Sequence, residues 1–229
     1  MKFLLTNDDG IKAPGLAMLE QALSRLGKVV VVAPTDPLSG CSHQVSTQRP
    51  LQVTEIAAGW HAVDGTPADC IRLGLLHLAP DADWVMAGIN DGGNLGVDVY
   101  MSGTVAAVRE AALFGKPGIA FSQYRRTREP ADWSASVPMV KRVVERLREP
   151  PLQPGAFWNV NFPDPETRDE TPEIVICPLD SSHLPVRYEI QSGRFHYRGI
   201  YQERAYKQGA DVNVCFSGRI AVTQVRVSQ

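Results

Sequence analysis

No Cys-x-x-Cys pair occurs in this 229-residue chain, whose four cysteines, Cys41, Cys70, Cys177 and Cys215, stand far apart. A chain of this length buries a sizeable core without staples, so free thiols in a reducing compartment are expected. The five histidines, His43, His61, His77, His183 and His196, also lack zinc-site spacing. No apolar run approaches the length needed to cross a bilayer, and the first is cut by Asn7, Asp8 and Asp9 before it could form a signal-peptide core. These absences predict a soluble cytoplasmic protein without membrane attachment. Excess charge is lacking too: 23 Lys and Arg face 25 Asp and Glu, a net of -2. That balance gives no general attraction to nucleic acid, and the cluster Arg125-Arg126-Thr127-Arg128 is too short to reverse it. The first loop has no Gly-x-Gly-x-x-Gly, which argues against a dinucleotide-dependent oxidoreductase.

What the chain does have is alternation. Lys2–Leu5 reads as a strand, followed by a helix with Leu16, Leu19, Leu23 and Leu26 on one face, opened by Pro14 and closed by Gly27. Residues 28–32 form a continuous apolar run expected of a strand covered on both faces. Thr66-Pro-Ala-Asp69 reads as a helix start: a capping Thr, Pro at the first position, and a carboxylate placed to return the bond. Ile71, Leu75 and Leu78 supply its buried stripe. Strands follow at 83–87 and 118–122, with a strong helix after Ser102-Gly-Thr104 between them. Val137, Val140, Val144 and Leu147 mark another helix that stops before Pro150-Pro151. Residues 158–162 and 174–177 continue the strand count. The pattern predicts an α/β fold of three layers, α/β/α, with a mainly parallel sheet. The tail reads differently: 211–216 and 219–227 alternate like strands, so 1–180 is expected as the catalytic domain and 181–229 as a C-terminal antiparallel extension involved in subunit contacts.

Chemistry concentrates where strands end. Asp8 and Asp9 are adjacent carboxylates that repel unless a cation, a proton or N–H groups compensate them, although Asn-Asp-Asp-Gly is also good turn chemistry. Ser39 follows the second strand, and Asn90 follows the strand at 83–87 within a glycine-rich loop. Ligands in open α/β sheets collect beyond these strand ends, so three loops could converge on one cation. Carboxylates, an amide oxygen and a hydroxyl suit hard Mg²⁺, Mn²⁺ or Ca²⁺. Ser102 and Thr104 could present hydroxyls and helix N–H groups to a phosphate, or could simply cap the helix.

Taken together, these segments resemble the SurE family of stationary-phase survival proteins. The matching residues are Leu4-Leu-Thr-Asn-Asp-Asp-Gly10, Val32-Ala-Pro34 with Ser39-Gly40, Gly65-Thr-Pro-Ala-Asp-Cys70, and most specifically 88–98 continued by Ser102-Gly-Thr-Val-Ala-Ala107. Residues 158–163, 209–211 and 220–223 resemble later family segments. Met101 stands where the family usually has Tyr, and Thr223-Gln224 where it usually has Thr-Pro. The resemblance implies a Rossmann-like domain whose C-terminal extension packs between subunits of a homodimer or homotetramer. It also implies metal-dependent hydrolysis of nucleoside 5'- or 3'-monophosphates. Carried over residue by residue, Asp8, Asp9, Ser39 and Asn90 become the ligands of one Mg²⁺ or Mn²⁺ per subunit, with Ca²⁺ able to occupy the site. Asp8 and Asp9 become the catalytic residues, and Asn94, Ser102, Gly103 and Thr104 surround the substrate phosphate.

Water is the expected nucleophile, because the side-by-side pair differs from the spaced Asp-x-Asp of haloacid-dehalogenase-like phosphatases, whose Asp itself attacks the phosphorus; direct attack by Asp8 is the alternative. Alternatives are hydrolysis of polyphosphate or another small phosphomonoester, or a non-catalytic module that binds metal or nucleotide.

Overall fold

The computed structural model describes residues 1–127, 132–149, 151–166 and 168–227; Arg128 and Pro150 lie outside them. In chain order the elements are β1 (Lys2–Thr6), α1 (Pro14–Leu23), β2 (Lys28–Pro34), β3 (Val53–Ala57), β4 (Trp60–Val63), α2 (Pro67–Leu73), β5 (Trp84–Asp91), α3 (Gly103–Leu113), β6 (Gly118–Gln123), α4 (Ser136–Leu147), β7 (Ala156–Phe162), β8 (Ile174–Ile176), β9 (Tyr188–Gln191), β10 (Arg194–Tyr197), α5 (Asp211–Phe216) and β11 (Ile220–Arg226). A wider turn, Gly74–Leu78, extends α2, and single 3₁₀ turns occupy Gly96–Tyr100 and Tyr201–Glu203.

Among the described residues, nine strands form one sheet in the order β3-β4-β2-β1-β5-β6-β7-β11-β8. From β4 to β7 all neighbours run parallel. The chain builds outward from β1 through β2 to β4, then crosses to β5 and builds the other way. That reversal leaves a crevice beyond the carboxyl ends of β1 and β5.

Both faces of the sheet are covered, as the unbroken apolar run of β2 predicts. Phe3 and Leu5 pack on one side with Leu16, Leu19 and Leu23 of α1 and Val140, Val143 and Leu147 of α4. Leu4 points the other way, into Cys70 and Ile71 of α2 and Val105, Val108 and Ala111 of α3. The period-two alternation of β1 thus divides its side chains between two cores.

The expected helix start at Thr66 forms as a reciprocal cap. Asp69 N–H donates to Thr66 Oγ1 at 3.2 Å, and Thr66 N–H donates to Asp69 Oδ2 at 3.0 Å. Two sequence expectations need correction. Residues 211–216 form α5 rather than a strand: six residues of alternation are too few to outweigh tertiary context, and Asp211 at the helix start is bonded to Gly96 and Asp180. The strand expected at 219–227 is present as β11, but it lies inside the main sheet, antiparallel to β7 and parallel to β8. The antiparallel extension proper is the hairpin β9-β10, turned by Ser192 and Gly193 at φ 50° and 78°. The β3-β4 hairpin at the far edge, interrupted by a bulge, had no counterpart in the sequence reading.

Candidate active site

The turn after β1 is closed by its own asparagine: Asn7 Nδ2 donates to the Gly10 carbonyl at 2.8 Å. It buries Asp8 and leaves Asp9 half-buried at the β1/β5 crevice. Leu38 N–H donates to the Asp8 carbonyl at 2.7 Å, which ties the loop after β2, with exposed Ser39 as the next residue, to the turn after β1. From β5, Asp91 N–H donates to Asp9 Oδ2 at 3.1 Å. Asn90, immediately before it, donates through Nδ2 to the Gly92 carbonyl at 2.8 Å, leaving its amide oxygen as the available acceptor. Backbone bonds from Leu38 to Asp8 and from Asp91 to Asp9 thus link the segments after β1 and β2 and at the end of β5, which carry Asp8, Asp9, Ser39 and Asn90.

The helix α3 closes the site from the other side. Ser102 caps it, its Oγ accepting from Val105 N–H at 3.1 Å. Thr104 Oγ1 donates to Asp8 Oδ1. A Cβ added at Gly103 would meet Cys41 Sγ at 2.8 Å and Asp8 Cβ at 2.9 Å, so only glycine lets helix, loop and carboxylate approach this closely. Asn94 is buried in an amide cluster. Its Nδ2 donates to Ser122 Oγ and its backbone N–H to Asn161 Oδ1, both at 2.8 Å, while its carbonyl accepts from Asn159 and Asn161.

Burial pushes the Asp8 carboxyl up, against the pull of the Thr104 hydroxyl and the N–H groups of Thr104 and Gly103. Asp9 is pushed up to about 6, first by burial and then by the charge of Asp8. Two adjacent carboxylates so placed bind protons or a cation more readily than they remain a bare dianion. Asn7 Oδ1, buried beside them, has no hydrogen-bond partner. Among the described residues no group of three His, Cys, Asp or Glu is placed to hold a metal. The candidate set is of another kind, two carboxylates with an amide and a hydroxyl, which suits a hard cation.

Of the histidines, His43 bonds Glu110 of α3, Nε2 to Oε2, at 2.6 Å and so holds the Ser39 loop down. His77, His183 and His196 are exposed, and His61 lies in β4. Arg125 of the basic cluster pairs with Asp91 at 2.7 Å. The reading from sequence did not identify Asp91, Ser122, Asn159 or Asn161 as partners of the candidate residues. For the last two a signal existed: amides two residues apart point to the same face of an otherwise apolar strand.

The chain has close likenesses among known proteins. A family model described as "Survival protein SurE" matches residues 3–184. A relative from Nostoc sp. is 48% identical over 228 residues, covering 99% of this chain and 100% of its own. A protein of Geotalea uraniireducens named "5'-nucleotidase SurE" is 45% identical over 234 residues, covering 99% of this chain and 93% of its own. The crystal structure of the SurE protein from Aquifex aeolicus superposes with a TM-score of 0.86 at 33% identity, covering 99% of this chain and 93% of that one.

Proposed function

The chain belongs to the SurE family, and from that premise we propose that it hydrolyses nucleoside 5'- or 3'-monophosphates to nucleoside and phosphate with the help of a divalent cation. The observation that carries this reading is that Asp8 bonds Thr104 at the N-terminus of α3 and Asp9 bonds Asp91 at the end of β5, both at the reversal of strand order. Relatives that match nearly the whole chain are named as 5'-nucleotidases.

Asp8, Asp9, Ser39 and Asn90 would hold Mg²⁺ or Mn²⁺; bound there, the ion supplies charge to the phosphate oxygens and makes a nearby water more acidic. The protein's own groups supply the rest. Ser102 Oγ accepts from Val105 N–H and so keeps its proton to donate to a phosphoryl oxygen. Asn94 retains a second Nδ2 proton after its bond to Ser122. Such preorganised donors act where negative charge accumulates in phosphoryl transfer. Asp8 has Oδ1 engaged by Thr104 and its Cβ hard against Gly103, which favours water rather than Asp8 as the attacking group. The exposed apolar side chains of the hairpin, Tyr188, Ile190, Phe195 and Tyr197, support a homodimer or homotetramer assembled through the C-terminal extension. No helix among the described residues is long and apolar enough to cross a membrane.

Phosphate release from a panel of 5'- and 3'-nucleoside monophosphates, with Mg²⁺, Mn²⁺ or EDTA, tests the proposal, with Asp8→Asn as the control. Release that needs the cation and disappears in Asp8→Asn is expected. No release from folded, Mn²⁺-supplied protein with any nucleotide would move the function to another phosphoester or to binding alone.

A further inference from the structure

The short turn Gly96–Tyr100 joins Asn94 to Ser102, the two residues to which the proposed function gives the phosphate. Its position is fixed from outside the catalytic crevice, by a segment about a hundred residues later. Asp98 Oδ2 accepts from Leu95 N–H within the turn at 3.1 Å, from Arg204 Nη1 at 2.9 Å and from the Tyr201 hydroxyl. The Arg204 side chain is 0% exposed, and its guanidinium lies 4.9 Å from the centre of the Tyr201 ring.

A second attachment lies beside the first. Gly96 N–H donates to Asp211 Oδ2 at 2.7 Å, and Asp211 Oδ1 accepts from Asp180 N–H at 2.8 Å and from Val212 N–H at 2.9 Å. The fit is tight, since a Cβ on Gly96, whose φ is +55°, would meet the Asp180 carbonyl oxygen at 2.8 Å and Arg204 Nη2 at 3.0 Å. Burying a guanidinium is costly, here with Nε and Nη2 left without a hydrogen-bond partner among the described residues, and one attested use of such buried pairs is to fix one arrangement out of several. Here the arrangement fixed is that of the turn. Asp8 and Asp9 are held by other means, through Thr104, Leu38 and Asp91.

We infer that the segment Tyr201–Asp211 is a clamp on the phosphate-contact loop and that Arg204, bonded to Asp98, is a positioning residue for phosphate recognition. The inference rests on the proposed phosphohydrolase reading and adds a division of labour to it. The clamp governs the phosphate side of the site and leaves the cation side alone.

The test uses the full chain and three variants, Arg204→Met, Arg204→Lys and Tyr201→Phe. Calorimetry gives the affinities for Mn²⁺ alone and for inorganic phosphate, steady-state kinetics gives KM and kcat, and hydrogen exchange reports on residues 94–104. For Arg204→Met the expected result is phosphate affinity weakened about tenfold or more, KM raised in step and faster exchange in 94–104, with Mn²⁺ affinity within about twofold of the parent. Arg204→Lys should recover part of the phosphate affinity. Tyr201→Phe, which deletes one hydroxyl and keeps the ring, should show the same split to a smaller degree and decides the matter if Arg204→Met does not fold. Unchanged phosphate affinity in the folded variants overturns the clamp, and so does a parallel loss of Mn²⁺ and phosphate affinity, which a merely structural role would give. The two readings fail separately. Nucleotides left intact by the parent protein would count against the proposed function, whereas the clamp is judged by phosphate affinity and exchange.

Discussion

Thr104 Oγ1 donates to Asp8 Oδ1, tying the first turn of α3 to the end of β1 across 96 residues of chain. The bond makes the buried carboxylate and the helix N-terminus one unit. Anything that moves α3 moves Asp8 with it, and Gly103 leaves no slack between them.

Replacing Thr104 by Val keeps the shape and removes the donor. A hydrogen bond to a charged group contributes about 1.5–3 kcal/mol. If that contribution is felt in the transition state, Thr104→Val should lower kcat for nucleotide hydrolysis roughly 10- to 100-fold. A kcat within about twofold of the parent would show that the Asp8 carboxylate is held well enough without it.

Gly103→Ala tests the close approach. The methyl group would sit 2.9 Å from Asp8 Cβ and 2.8 Å from Cys41 Sγ, so either the carboxylate or the loop must shift. A misplacement of this size near the reacting centre is expected to cost on the order of 100-fold in turnover. Alanine is otherwise the better helix former, so a stabilised and fully active variant would contradict the packing described.

Thr66→Ala should destabilise the fold by about 1–2 kcal/mol, read as a lower urea midpoint at unchanged slope. The residue does more than cap α2. Its Oγ1 also donates to the Gln44 carbonyl at 2.6 Å, and Asp69 Oδ1 accepts from Ser46 N–H at 2.9 Å. The cap therefore anchors the loop that carries Ser39, and Mn²⁺ affinity should fall along with stability.

Glu110 gives a pH prediction. Burial alone would raise its carboxyl, but the hydrogen bonds from His43 and Arg72 outweigh burial and hold it below the ordinary 4.5. A carboxylate with a depressed folded-state pKa contributes stability that is present above 4.5 and lost as pH falls through the folded value. The melting-temperature difference between the parent and Glu110→Gln should thus shift against the parent as pH falls below about 4.5. A difference independent of pH down to acid unfolding would refute the linkage.

Much of this protein was legible in its sequence because the signals are local. The apolar run of β2, the leucine stripe of α1 and the Thr66-Pro-Ala-Asp69 box each specify an element through neighbours within a turn or a pleat. Asp8, Asp9, Ser39 and Asn90 were legible as candidates because each stands at or beyond the carboxyl end of such an element. At 211–216 the local signal points the wrong way. Its six residues alternate like a strand but fold as α5, whose first residue Asp211 bonds Gly96 and Asp180.

The sequence by itself determined the alternation of strands and helices, the two-faced burial of the sheet, and which polar residues stand at its carboxyl edge, because residue spacing dictates which face a side chain occupies. Only the tertiary structure decided which of those residues meet. The bonds of Thr104 to Asp8 and of Arg204 to Asp98 join positions about a hundred residues apart. No spacing rule reaches that far along the chain. Such pairs are set by strand order and by the packing of α3 and the C-terminal segment against the sheet.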